Sequence, residues 1–144
     1  QPVAGDLRRV SAALKMVTDM ERVGDQAADI AEIVVQMNEK LPDQFLHICK
    51  MGTVAMKMVT DSVNAYVDMK LDLAREVIKS DDEVDELFLK VRGEILDAIR
   101  DSSRGEELLD LFMITKYYER IGDHATNIAE WVEYAITGER SAEN

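Results

Sequence analysis

Apolar positions recur at helical spacing along nearly the whole chain. Between residues 6 and 37, Val10, Leu14, Val17, Ala28 and Val35 form one stripe, and Met16, Val23, Ala27 and Val34 form a second on another side. A helix that is apolar on two sides expects neighbours on both. Pro42 breaks this helix, because proline cannot sit in a helix interior but suits the first turn of the next one. A second helix is expected over residues 43–78, with Leu46, Met51, Val54, Met58, Val63, Val67, Leu71, Ala74 and Ile78 facing a core. Its methionines read as gap-filling core residues. Ser80 followed by Glu83 has the form of a capping box and opens a third helix, to about Arg100, whose buried stripe is Val84, Leu87, Val91, Ile95 and Ile99. Residues 101–105 have turn composition. A fourth helix runs from about Glu106 to Thr137, with Gly138 as a left-handed stop and residues 139–144 as a tail. No strand pattern competes, so the fold class is all-α, an antiparallel bundle of four long helices with short links.

One stretch occurs twice. Glu21-Arg22-Val23-Gly24-Asp25-Gln26-Ala27-Ala28-Asp29-Ile30-Ala31-Glu32-Ile33-Val34 returns 98 residues later as Glu119-Arg120-Ile121-Gly122-Asp123-His124-Ala125-Thr126-Asn127-Ile128-Ala129-Glu130-Trp131-Val132, with nine of fourteen positions identical. The first and fourth helices are therefore equivalent, yet only the fourth is preceded by two helices. Residues 39–138 read as a complete three-helix repeat and residues 1–38 as the last helix of a repeat whose first two are missing. The opening Gln1-Pro2-Val3, without an initiator Met, agrees with residues upstream having been removed.

At about 100° per residue, Glu21, Asp25, Asp29 and Glu32 span under a quarter of the helix circumference, in line with Leu14 and Val10. Glu119, Asp123, Asn127 and Glu130 are likewise in line with Leu108 and Phe112. Both copies thus direct acids toward a partner helix. Like charges at i, i+4 cost roughly 0.2–0.5 kcal/mol each on a helix, and more when buried. Arg22 and Arg120 project about 100° away and cannot neutralise the row. A hard cation bridged by carboxylates would, which makes this face a candidate metal site. A glycine interrupts both copies, at Gly24 and Gly122, where it costs about 1 kcal/mol relative to Ala; close approach of a neighbour or room for a cluster would explain it. Asp81 and Asp85 form a further pair one turn apart, although acids in a first helical turn are also favoured by the helix dipole.

Composition narrows the function. The net charge of −12, from 29 acidic and 17 basic residues, repels nucleic acid and anionic membrane surfaces and favours cations or basic protein partners. The lone Cys49 excludes an internal disulfide, fits a reducing compartment and reads as a small buried residue. His47 has no second ligand at helical spacing and is assigned no role. No apolar run is long enough to span a membrane and no signal-peptide pattern opens the chain, so a cytoplasmic protein is expected.

With Gln1-Pro2-Val3-Ala4-x-Asp6-Leu7-Arg8, the doubled Glu-Arg-(Val/Ile)-Gly-Asp helix and Asp81-Asp82-Glu83-Val84-Asp85, the sequence closely resembles the PhoU family of phosphate-uptake regulators. The resemblance implies two related three-helix bundles carrying multinuclear iron or zinc clusters on (Glu/Asp)-x-x-x-Asp motifs. Carried onto this chain, one cluster would use Asp81, Asp85, Glu119 and Asp123, with Asn127 as an additional candidate. The other would use Glu21 and Asp25, with Asp29 as an additional candidate, and its second acidic pair lies in a helix this chain does not contain. The family's role implies a cytoplasmic negative regulator of phosphate-starvation signalling that contacts a phosphate ABC transporter and a membrane-bound sensor histidine kinase, and that is not an enzyme.

Two alternatives stand beside this. A ferritin-like di-iron enzyme would need Glu-x-x-His on two helices; here His124 follows Glu119 by five residues and Gln26 takes its place in the first copy. A metal-free acidic helical interaction module would need only the acidic surface. The first helix, lacking bundle mates of its own, must dock as a fourth helix or bury its apolar sides against another chain; a homo-oligomer is expected, in the first place a dimer.

Overall fold

A computed structural model describes residues 2–37, 45–100 and 102–140. It contains α1 (Pro2–Met37), α2 (Leu46–Asp68), α3 (Leu71–Ala98) and α4 (Gly105–Thr137), with a short 3-10 turn, Ser102–Arg104, before α4. Every element among the described residues is helical, giving the expected all-α antiparallel bundle. Pro42 and residues 141–144 of the tail lie outside the described residues.

α4 is the central helix. It packs against α1, α2 and α3, while α2 and α3 also pack against each other. Its core side carries Leu108, Leu111, Ile114, Ile121, Ile128 and Val132, all buried, against Met51 and Met58 of α2 and Val84, Leu87 and Val91 of α3 in one apolar cluster. Those two methionines serve the core, whereas Met56 is exposed. Gly138 ends α4 in the left-handed conformation, φ 81°, as the sequence predicts.

The boundary between the second and third helices differs from the sequence expectation. The chain reverses at Met69-Lys70, ten residues before Ser80. Met69 takes the left-handed conformation at φ 51°, its N–H donates to the Tyr66 carbonyl, and the Lys70 N–H donates to the Ala65 carbonyl. This is a Schellman ending built without glycine. The strain of a left-handed Met, roughly 1–2 kcal/mol, is offset by these bonds and by the α2–α3 packing they permit. Ser80 is therefore not a cap: it lies inside α3 and its hydroxyl donates to the Glu76 carbonyl at 3.0 Å. Asp81 and Asp85 consequently stand in the middle of a 28-residue helix, away from the N-terminal dipole.

α1 also departs from the sequence expectation. Its buried side is Ala12, Met16 and Ile30, with Val23 and Ile33 half-buried, and this side lies along α4. The stripe expected to face the core, Val10, Leu14, Val17 and Val35, is exposed, at 74% for Val35. Both apolar sides exist, but α4 covers only one of them. Leu46, Val67 and Ile99 are exposed as well, since each points off the bundle near a helix end. Cys49, expected to be buried, is exposed near the start of α2.

Candidate metal centre

α3, begun at Leu71, carries Asp81 and Asp85 across from Glu119 and Asp123 of α4. At Gly122 the buried Val84 of α3 packs onto α4 between the acidic pairs: a Cβ at this position would meet Val84 Cγ1 at 3.4 Å, an ordinary contact distance. A Cβ at Gly24, its counterpart in the first copy, would meet nothing within 4 Å, so that glycine serves no close approach.

The four carboxylates act on one another. Asp123 is pushed up to about 6, first by desolvation of its carboxyl against the α3–α4 seam and then by the charges of Asp81, Glu119 and Asp85, with His124 opposing. The residue as a whole keeps much of its surface exposed, so the neighbouring charges matter alongside burial. Asp81 is raised by desolvation, then by Asp85 and Asp82; the nearby Thr126 hydroxyl offsets part of this, and Glu119 adds to the rise. Desolvation followed by Glu119 and Asp82 raises Asp85. One Asp81 oxygen, Oδ1, is buried without a hydrogen-bond partner.

This donor set suits a hard cation: it is all oxygen, its three aspartates make no ion pair among the described residues and one buried oxygen is orphaned. Among the described residues, however, no three His, Cys, Asp or Glu side chains are gathered closely enough to enclose an ion as they stand. Glu119 Oε1 instead accepts from Lys116 Nζ at 2.9 Å.

The remaining candidate ligands are not brought to this cluster. Asn127 Nδ2 donates to Asp19 Oδ1 of α1 at 3.4 Å, and His124 Nδ1 donates to the same oxygen at 2.9 Å. His124 therefore belongs to the α1–α4 junction and supplies no imidazole to the carboxylates. Glu130 pairs with Arg140 at 2.7 Å. Glu21 and Asp25 are exposed, on the side of α1 that α4 does not cover, and Asp29 is half-buried; no second acidic pair faces them among the described residues. Two participants are not singled out by sequence reasoning, Thr126 and Lys116. Their signal is spacing alone: Thr126 follows Asp123 by three residues and Lys116 precedes Glu119 by three, each on the same helix face as its acid.

The PhoU domain model matches residues 1–34 and 48–132. The chain is 43% identical over 140 residues to the "Phosphate-specific transport system accessory protein PhoU homolog" of Clostridium acetobutylicum, covering 96% of this chain and 64% of that protein. The protein of the same description from Pseudomonas aeruginosa is 33% identical, with 96% and 58% covered. Among solved structures, PhoU from Pseudomonas aeruginosa superposes with a TM-score of 0.89 at 32% identity, covering 96% of this chain and 68% of that one. The phosphate transport system regulatory protein PhoU from Streptococcus pneumoniae gives 0.86 at 27% identity, covering 96% and 67%. The chain thus spans roughly 60% of the length of these two curated relatives. On the family match, the shared sequence and the shared bundle, this chain belongs to the PhoU family.

Proposed function

We propose that this chain is a metal-binding regulatory module of phosphate uptake, working by protein contacts and not by catalysis. The observation that carries the proposal is the meeting of Asp81, Asp85, Glu119 and Asp123 across α3 and α4, where each of the three aspartates is held above its ordinary carboxylate range. The names of the relatives, accessory proteins of phosphate-specific transport, support the biological setting. A bound iron or zinc cluster would supply positive charge to these acids. Asp81 and Asp85 would hold it from α3, and Glu119 and Asp123 from α4. The half-site of Glu21, Asp25 and Asp29 would require acids from outside the described helices.

In this proposal the module acts as a cytoplasmic negative regulator of phosphate-starvation signalling, in contact with a phosphate ABC transporter and a sensor histidine kinase. Among the described residues no helix is long and apolar enough to cross a membrane. Metal analysis of protein purified without a histidine tag tests the proposal. We expect bound iron or zinc in the native chain and a larger loss from Asp123→Ala than from Asp25→Ala. Equal losses, or no transition metal in the native chain, would overturn it.

A further inference from the structure

Resting on the metal reading above, we propose that Lys116 is the built-in counter-ion of the carboxylate cluster and competes with the metal for Glu119. Lys116 Nζ donates to Glu119 Oε1 at 2.9 Å and lies 5.0 Å from the centre of the Phe88 ring. Phe88 belongs to α3 and is tilted against Phe112 of α4, with ring centres 6.2 Å apart. The ammonium is therefore seated by both helices that supply the acids. Lys116 and Glu119 keep only 34% and 21% of their side-chain surface exposed, so the pair is partly shielded from water. Among the described residues, Asp81, Asp85 and Asp123 make no ion pair with any Lys or Arg, which leaves Lys116 as the one cation bonded to the cluster.

This arrangement accounts for four acids that share a field without closing around an ion. Glu119 is the member engaged elsewhere, and the oxygen that a metal would take is the one that accepts from Lys116. A metal ligated there must displace the ammonium, since two cations a few ångströms apart repel strongly in a partly shielded site. Lys116 then swings to solvent on its flexible stem. The first copy of the repeat lacks this device, because Thr18 stands where Lys116 does in the second. The two acidic motifs would accordingly differ in how readily they accept a cation, beyond the difference in their neighbours.

Calorimetric titration of zinc into the metal-stripped chain tests the proposal with K116M, K116Q and K116R. Methionine and glutamine remove the charge while keeping much of the stem over Phe88; arginine retains the charge. We expect K116M and K116Q to bind zinc at least about tenfold more tightly than the native chain, and K116R to match it. Without zinc, K116M should melt at a lower temperature than the native chain at pH 7.5, with zinc abolishing the difference. Native binding with neutral variants that bind no more tightly would overturn the role of Lys116 and leave the metal reading standing. Binding of neither zinc nor, in a parallel titration, iron by the native chain and the neutral variants would overturn both.

Discussion

His124 Nδ1 and Asn127 Nδ2 of α4 meet on a single oxygen, Asp19 Oδ1 of α1, at 2.9 and 3.4 Å. The side chains of Asp19 and His124 are mostly buried, at 13% and 18% exposure, so this bond lies within the α1–α4 seam. The repeat does not reproduce it: Tyr117 and Gln26 hold the corresponding positions, and Gln26 Oε1 is buried without a partner.

Asp19→Ala strips two partly buried donors of their acceptor and should cost about 1–3 kcal/mol. Asp25→Ala, on the exposed side of the same helix, should stay within about 0.5 kcal/mol of the native chain. Urea unfolding followed by circular dichroism measures both. Equal effects would show that the junction contributes nothing to stability.

The glycines of the bundle should respond in opposite directions. A Cβ at Gly52 would lie 2.8 Å from Tyr118 Cζ, a ring atom held against α2, so Gly52→Ala should cost about 1–3 kcal/mol. Gly24 faces open space, and Gly24→Ala should gain up to about 1 kcal/mol from helix propensity. Thermal melting of the two variants beside the native chain decides it; destabilisation by Gly24→Ala would mean that this position is packed against something in solution.

Stability should fall as pH rises through the range set by Asp123. Its folded value of about 6 lies above the ordinary 3.8, so between those values the folded state holds more protons than the unfolded one. The stabilising proton is present below about 4, is lost progressively, and is gone above about 6. Asp123→Asn removes the titrating group. Its melting temperature relative to the native chain should therefore rise between pH 5 and pH 7.5, measured with chelator present. A constant difference across that range would refute the assignment.

The exposed side of α1 should drive self-association. Leu7, Val10 and Leu14 are exposed on one side, while the counterparts of the last two 98 residues on, Leu108 and Phe112, are buried or partly buried in the core, Phe112 against Phe88 of α3. Among the described residues there are thus two equivalent seats for a hairpin and one hairpin to fill them. We expect dimers by light scattering, and monomers of unchanged helicity for the double variant Leu7→Glu, Leu14→Glu. A native chain that stays monomeric at every concentration would contradict this.

Much of this is legible in the residues, and the misses have definite causes. The repeat exposes the helix pair and the acids, because Glu, Arg, Gly and Asp in fixed order are not what helix-forming composition repeats. The turn at Met69-Lys70 is hidden because it contains neither Gly nor Pro, while Ser80 and Glu83 imitate a helix start in a region that is simply acidic. That imitation makes Asp81 and Asp85 look like dipole-favoured first-turn acids, which mid-helix placement rules out. For α1, periodicity shows two apolar sides but cannot say which one α4 covers, since both satisfy the same 3.6-residue repeat. The Lys116–Glu119 pair escapes notice because i, i+3 lysine–glutamate spacing is commonplace, and only the Phe88 seat on another helix sets it apart.

The central position of α4 orders the bundle in time. α2, α3 and α4 close a mutual triangle, whereas α1 packs extensively on α4 but on no other helix beyond a light touch on α2, where Tyr66 Oη donates to the Arg9 carbonyl at 3.1 Å. Sub-global opening therefore begins with α1 lifting away while the other three helices remain docked. Backbone amides of α1 will exchange with deuterium ahead of those in the middle of α4, whose protection will last until the whole chain unfolds. The carboxylates on α3 and α4 lie inside that slowest unit, and the acids of the first copy ride on the fastest.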